Sequence, residues 1–170
     1  MLAARQTLKL ALPKGRLLPA TAKLLASIGL DFADYTESTR AYAFRSSRFP
    51  VLAAKMFQEK DIPIQVAVGN YDLGICGLDW VEELTARYPA SAVLKVADLG
   101  YGALDLYLAG SPFGVASLDD LRRQPSGSRL VSEYPNLAEA FALKSRLKRF
   151  RVFPVWGGAE VYPPESADLV

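Results

Sequence analysis

Thr7-Leu8-Lys9-Leu10-Ala11-Leu12-Pro13-Lys14-Gly15-Arg16-Leu17 decides the fold class. The apolar run through Leu12 reads as a buried strand that Pro13 ends, because a prolyl nitrogen has no hydrogen to give a ladder. Lys14-Gly15-Arg16 is a turn. Beyond it Leu17, Leu18, Ala20, Ala22, Leu24, Leu25 and Ile28 recur at helical spacing, and Gly29 is a natural stop. Strand, tight turn and helix in direct succession point to an α/β protein.

The alternation continues along the chain. Val51 to Phe57 reads as a second strand. Asp61-Ile62-Pro63 has the form of a helix start, with Asp at the N-cap and Pro just inside. That helix carries Ile64, Val66, Ala67 and Val68 and stops at Gly69-Asn70. Asp72 to Cys76 reads as a short buried strand, and Leu78 to Arg87 as a helix ending before Pro89. Val93 to Ala97 and Ala103 to Ala109 read as strands joined by Asp98-Leu99-Gly100-Tyr101-Gly102. The two glycines mark a crossing between lobes, giving lobe 1 as 1–98 and lobe 2 as 99–170. Gln124 to Ser128 is a surface loop. Arg129 to Ser132 is a strand, Asn136 to Lys148 an amphipathic helix and Val152 to Val155 a further strand. Gly157-Gly158-Ala159-Glu160 opens the last segment. The end, Ser166 to Val170, is apolar and strand-like, as if a motif were interrupted.

Composition removes whole classes of chemistry. The chain has 170 residues, of which 51% are hydrophobic; that supplies a packed core and is too apolar for disorder. Lys and Arg total 20 against 18 Asp and Glu, a net charge of +2, which gives no case for a nucleic-acid or membrane partner. Cys76 is the sole cysteine and histidine is absent. A disulfide framework, a Cys-rich zinc site, a His triad and a His proton shuttle are therefore excluded. Chemistry falls to Lys, Arg, Asp, Glu, Tyr, backbone amides or a bound cofactor. Met1 to Thr7 has one Arg and no long apolar core, so no signal peptide is expected. Apolar stretches are broken well short of the ~20 residues of a membrane span. The expectation is a soluble cytoplasmic protein.

Several clusters carry candidate chemistry. Lys14 and Arg16 flank Gly15 at a helix start, where backbone N–H groups favour anions and Arg grips phosphate with two parallel bonds. The alternative is an ordinary turn with two solvated charges. The Walker A spacing is absent. In Asp72-Leu73-Gly74-Ile75-Cys76-Gly77-Leu78-Asp79-Trp80, Gly77 either admits a ligand at the carboxyl end of a strand or serves tight packing. Arg40 in Thr39-Arg40-Ala41-Tyr42 is, by itself, a solvated loop charge. Ser132-Glu133-Tyr134-Pro135-Asn136 converges polar groups on a helix start, which plain capping also explains. Lys144, Arg146, Lys148, Arg149 and Arg151 read as a solvated basic face, and Cys76 as a buried structural thiol.

Taken in order, Ala11-Leu12-Pro13-Lys14-Gly15-Arg16-Leu17, Asp61-Ile62-Pro63, Asp72 to Asp79, Tyr134-Pro135-Asn136-Leu137 and Gly157-Gly158-Ala159-Glu160-Val161-Tyr162-Pro163 resemble the ATP phosphoribosyltransferase family. They cover nearly the whole chain and look like its short form. The resemblance implies two α/β lobes of the type II periplasmic-binding-protein kind with a cleft between them. It implies that N1 of ATP displaces pyrophosphate from C1 of 5-phosphoribosyl 1-pyrophosphate, the first step of histidine biosynthesis. Such chemistry needs positioning and charge stabilisation and neither a strong base nor a strong acid, which suits a chain without histidine.

By the same resemblance Arg16 holds phosphate groups, with Lys14 and Gly15 beside it, and Arg40 stabilises the leaving group. Asp72 and Gly77 border the nucleotide cleft, Glu160 contacts ribose hydroxyls and Tyr134 lines the cleft. Mg²⁺ arrives mainly on the substrate's pyrophosphate. A homo-oligomer and a regulatory subunit resembling histidyl-tRNA synthetase are implied partners. The sequence departs from the family where Pro164-Glu165-Ser166-Ala167-Asp168 replaces a Gly-Leu-Ala-Asp run, and the family's phosphate loop lies beyond Val170. The expectation is therefore a chain incomplete at its C-terminal end, whose missing tail packs on lobe 1 and without which activity is slight. The competing readings are a non-catalytic ligand-binding module on the same fold and a degenerate regulatory paralogue.

Overall fold

The computed structural model describes residues 7–30, 32–90, 93–115 and 117–170. Met1 to Gln6, where the signal-peptide expectation falls, lie outside the described residues. The chain divides into two compact units, Met1–Ala103 and Leu104–Val170.

The first unit is built on a four-stranded sheet of order β2-β3-β1-β4. β1 (Leu8–Lys14) runs parallel to β3 (Leu52–Gln58) over its full length, from Leu8 opposite Leu52 to Lys14 opposite Gln58. β4 (Leu73–Gly74) lies parallel on the other side of β1, and β2 (Ala43–Arg45) is antiparallel to β3. Alternate residues share a face. Leu10 and Leu12 therefore join Leu52, Ala54 and Met56 on one side, where Leu18 and Leu25 of α1 (Leu18–Ser27) bury against them. Phe44, Phe32 and Tyr35 close this core, with the Tyr35 and Phe44 rings edge to face at 5.5 Å. Leu12 is 0% exposed, so cutting it to Ala removes about 2–5 kcal/mol.

The strand does not end at Pro13. Lys9 and Ala11 turn their carbonyls to the β4 side, where they accept from the N–H groups of Asp72 and Ile75, each at 3.0 Å. Pro13 turns the same way, beyond the last β4 bond, so its missing N–H interrupts no ladder. Its carbonyl accepts instead from the Tyr35 hydroxyl at 2.6 Å.

Further expectations change along the chain from Asp61 to Ala109. Asp61 precedes α2 (Ile62–Ala67) but makes no side-chain cap, because a 3₁₀ turn at Glu59–Asp61 already leads into the helix. β4 is two residues long and exposed, since it is the edge of the sheet. Helix α3 (Leu78–Arg87) forms as read. Val93 to Ala97 and Ala103 to Ala109 form no strands. Leu94 and Val96 are 92% and 82% exposed; β-branched and apolar residues make a strand only where a neighbour supplies the ladder. Gly100 and Gly102 do bend the chain, with φ +74° and +72°.

In the second unit, β5 (Ser128–Ser132) and β6 (Phe150–Pro154) form a parallel pair joined by α5 (Pro135–Lys144). Leu121, Leu130, Ala142, Leu147 and Leu169 make its core. α5 stops four residues earlier than its apolar pattern suggests. Arg146 takes φ +58°, and the N–H groups of Arg146 and Leu147 bond back to the Leu143 and Ala142 carbonyls at 2.9 and 3.0 Å. This cap swings Leu147 into the core, which is why its helical spacing misled. Helix α4 (Leu118–Arg123) was not foreseen from sequence. Its signal is Ser117, whose hydroxyl accepts from the Asp120 N–H at 3.2 Å. No helix among the described residues is long and apolar enough to cross a membrane.

Candidate functional site

The register of β1 against β3 builds the first half of the site. β1 carries Lys14 to the carboxyl end of the sheet, Gly15 turns the chain at φ +88°, and α1 begins three residues later. A Cβ at Gly15 meets nothing within 4 Å, so glycine serves the backbone angle here and not a tight contact. A pocket of about 400 Å³ opens at this turn, lined by Lys14, Gly15 and Arg16 on one side and by Thr36, Glu37 and Thr39 on the other. Arg40 follows directly in the chain and is exposed. The Lys14 ammonium lies 5.3 Å from the centre of the Tyr42 ring, a cation–π arrangement that restrains it.

The same register places Glu59, just after Gln58, beside the turn. Its Oε2 lies 3.9 Å from Arg16 Nη2, with the Glu59 side chain 12% exposed and that of Arg16 60% exposed. Burial raises the Glu59 carboxyl above its ordinary value. The Arg16 guanidinium and a hydrogen bond from the Leu17 backbone act the other way, and the Asp79 carboxylate adds to the rise. Sequence reasoning missed Glu59, because only the pairing of β1 with β3 brings it to Arg16. Its one sequence signal is an acidic residue at the exact end of an apolar strand.

Asp72 is not brought to this turn. Its Oδ2 accepts from the Lys9 N–H at 2.8 Å, clasping the amino end of β1. That is five residues from Lys14, roughly 16 Å along a strand. Gly77 lies at the start of α3, where a Cβ would run into the Asp79 carboxylate. The close approach there is made by the chain's own side chain. Cys76 is half-buried, and its thiol is pushed up to about 12 by burial, with the Asp79 and Glu59 carboxylates adding to the shift.

In the second unit, the candidate residues stand where β5 and β6 end. Ser132 Oγ accepts from the Tyr134 N–H at 2.9 Å, and Tyr134, half-buried, leads into α5. β6 runs into Gly157 and Gly158, both at positive φ, and then into a 3₁₀ turn at Ala159–Val161 that carries Glu160, exposed. Glu133 Oε1 lies 3.7 Å from where a Gly157 Cβ would be. Arg129 fastens the following segment: its guanidinium donates to the Glu165 carbonyl at 3.0 Å and to Asp168 Oδ1 at 3.2 Å. Among the described residues, no group of three or more His, Cys, Asp or Glu side chains can hold a metal ion.

Fold and site together define an α/β protein with a basic turn at the carboxyl end of a parallel strand, where open sheets take their ligands. Residues 58–170 match the HisG family model, described as ATP phosphoribosyltransferase. The chain belongs to the ATP phosphoribosyltransferase family. It is 29% identical over 172 residues to the ATP phosphoribosyltransferase of Prosthecochloris aestuarii, covering 100% of this chain and 55% of that protein. Against the Acaryochloris marina ATP phosphoribosyltransferase it is 30% identical over 159 residues, covering 92% and 68%. A solved ATP phosphoribosyl transferase (HisG:HisZ) complex from Thermotoga maritima contains a chain of the same fold, with a TM-score of 0.72 at 23% identity, covering 96% of this chain and 72% of that one. The chain spans about half the length of several of the curated relatives it matches.

Proposed function

We propose that this chain carries catalytic machinery for moving the 5-phosphoribosyl group from phosphoribosyl pyrophosphate to N1 of ATP, with release of pyrophosphate. The observation that carries the reading is the pocket where Lys14, Gly15 and Arg16 face the Thr36–Thr39 loop. Family membership supplies the reaction, and this pocket supplies cations for its leaving group. N1 of adenine attacks C1 of the ribose with its own lone pair. The C1–O bond breaks, its electrons leave on the pyrophosphate, and positive charge develops on the ribose ring.

Arg16 and Lys14 bind the departing diphosphate, and Arg40, next to the pocket wall, adds a third cation. One preorganised donor of this kind contributes roughly 3 kcal/mol, about a hundredfold in rate. Magnesium travels on the substrate's pyrophosphate and neutralises part of its charge. In the second unit, Glu160 meets ribose hydroxyls and Tyr134 lines the nucleotide side. Gly77 borders the nucleotide side at the start of α3, where its missing Cβ makes room for the Asp79 carboxylate. Asp72 acts on the site indirectly, by fixing the start of β1. The reading takes the two units as lobes of a periplasmic-binding-protein-like fold. It places the protein in the cytoplasm as a homo-oligomer with a HisZ-like regulatory subunit, the kind of partner named in the Thermotoga maritima complex.

The test is pyrophosphate release from ATP plus phosphoribosyl pyrophosphate by a form of the protein that also carries the family's phosphate loop, with calorimetry of each substrate. Arg16→Ala and Arg40→Ala should each lower turnover about a hundredfold with little change in thermal stability. Binding of amino acids or sugars in place of the two phosphorylated substrates would overturn the reading in favour of a binding module.

A further inference from the structure

Arg16 is a long, largely exposed side chain asked to meet a small charged group at a fixed place. An exposed guanidinium samples many rotamers, and fixing it costs side-chain entropy. A catalytic cation therefore benefits from a support that limits its rotamers before substrate arrives. Glu59 is built as such a support. It sits on a 3₁₀ turn fixed by the end of β3, opposite Lys14 in the ladder. Its side chain is 12% exposed, and Oε2 lies 3.9 Å from Arg16 Nη2. That oxygen is buried and accepts no hydrogen bond, so the guanidinium is the cation directly before it. Burying a carboxylate is unfavourable unless its charge is used; here the Leu17 backbone N–H and the Arg16 guanidinium both favour the charged form, and Arg16 is the cation among them.

We propose that Glu59 is a positioning residue that holds the Arg16 guanidinium over the pocket for the departing diphosphate. The proposal rests on the reading of this turn as the pyrophosphate site. It goes against simple electrostatics, by which a carboxylate beside an anion site only weakens anion binding. The two accounts differ in sign. Positioning makes removal of the Glu59 charge weaken binding, whereas repulsion makes it strengthen binding.

The experiment is a double-mutant cycle on the whole chain, read by calorimetry with inorganic pyrophosphate. Glu59→Gln should weaken binding about fivefold, the upper range for a partly exposed ion pair. In an Arg16→Ala background, the same change should have no effect. Tighter binding in Glu59→Gln, or an equal change in both backgrounds, overturns the proposal. A second readout needs no ligand: ¹⁵N relaxation of the Arg16 Nε–H should show an ordered group in the unmodified chain and a mobile one in Glu59→Gln. Equal mobility in the two overturns the proposal. Should Glu59→Gln fail to fold, Glu59→Asp keeps the charge and withdraws it by one methylene. Positioning then expects weaker pyrophosphate binding and a looser Arg16, and unchanged values overturn it. An Arg16 that Glu59 orders in a chain that binds no pyrophosphate would overturn the proposed function and leave the positioning role standing.

Discussion

The Tyr101 hydroxyl lies 2.8 Å from Thr21 Oγ1. Thr21 gives its own proton to the Leu17 carbonyl at 2.7 Å, so Tyr101 is the donor of the pair. One residue on, a Cβ at Gly102 would meet Leu17 Cδ2 at 2.5 Å. The loop at 101–102 is thereby pinned to the first turn of α1, the helix that the Lys14-Gly15-Arg16 turn begins.

Tyr101→Phe should therefore destabilise the first unit by about 1 kcal/mol in urea denaturation. Thr21 is 0% exposed, and Thr21→Val strips both partners at once, so its loss should be larger, about 1–2 kcal/mol. Equal stability in all three proteins would show that the contact holds nothing.

Glu59 gives a pH dependence of known direction. Its folded carboxyl is raised above 4.5, chiefly by burial, so the native chain holds that proton more tightly than the unfolded chain. The stability this adds is complete below the unfolded value and is lost as pH rises through the folded one. Gln cannot titrate. The stability of Glu59→Gln relative to the unmodified chain should rise from mildly acid to neutral pH in paired urea titrations, and a flat difference would refute the assignment.

How much of this was legible in the chain differs by element. Leu10 and Leu12 alternate, and the Leu18, Thr21, Leu25 face repeats at helical spacing, so β1 and α1 could be read locally. Pro13 misled because whether a missing N–H matters depends on which side of the strand has a neighbour, and that is a tertiary fact. Leu147 misled because a left-handed cap at Arg146 puts it in the core by another route than the helix it was counted in. The run at Val93 to Ala97 has the residues of a strand and no ladder to join. At the site, the turn Lys14-Gly15-Arg16 was visible as a motif, but Glu59 was not, since 43 positions separate it from Arg16. The sequence reading puts the lobe boundary after residue 98, whereas the compact units divide after Ala103.

Arg146 offers a stabilising substitution. A non-glycine residue at φ +58° carries a Cβ penalty of roughly 1 kcal/mol. Arg146→Gly should raise the stability of the second unit by about that amount, read as a higher urea midpoint. The side chain is exposed, so no packing is lost in exchange.

Cys76 should be chemically quiet. With its thiol pushed up to about 12 from 9.0, the thiolate at pH 8 is about a thousandfold scarcer than in the unfolded chain. Iodoacetamide should modify it slowly in buffer and readily in guanidinium. Comparable rates in the two would place the thiol in solvent.

Pro13 has a further effect on what can reach the turn. A strand laid beside β1 on the β4 side finds no donor at Pro13, and the carbonyl there already accepts from Tyr35. Neither this chain's own backbone nor a stray peptide can zip past Ala11 toward Lys14 on that edge. The proline acts as a doorstop: it disfavours extension of the ladder on this edge past Ala11, toward the basic turn.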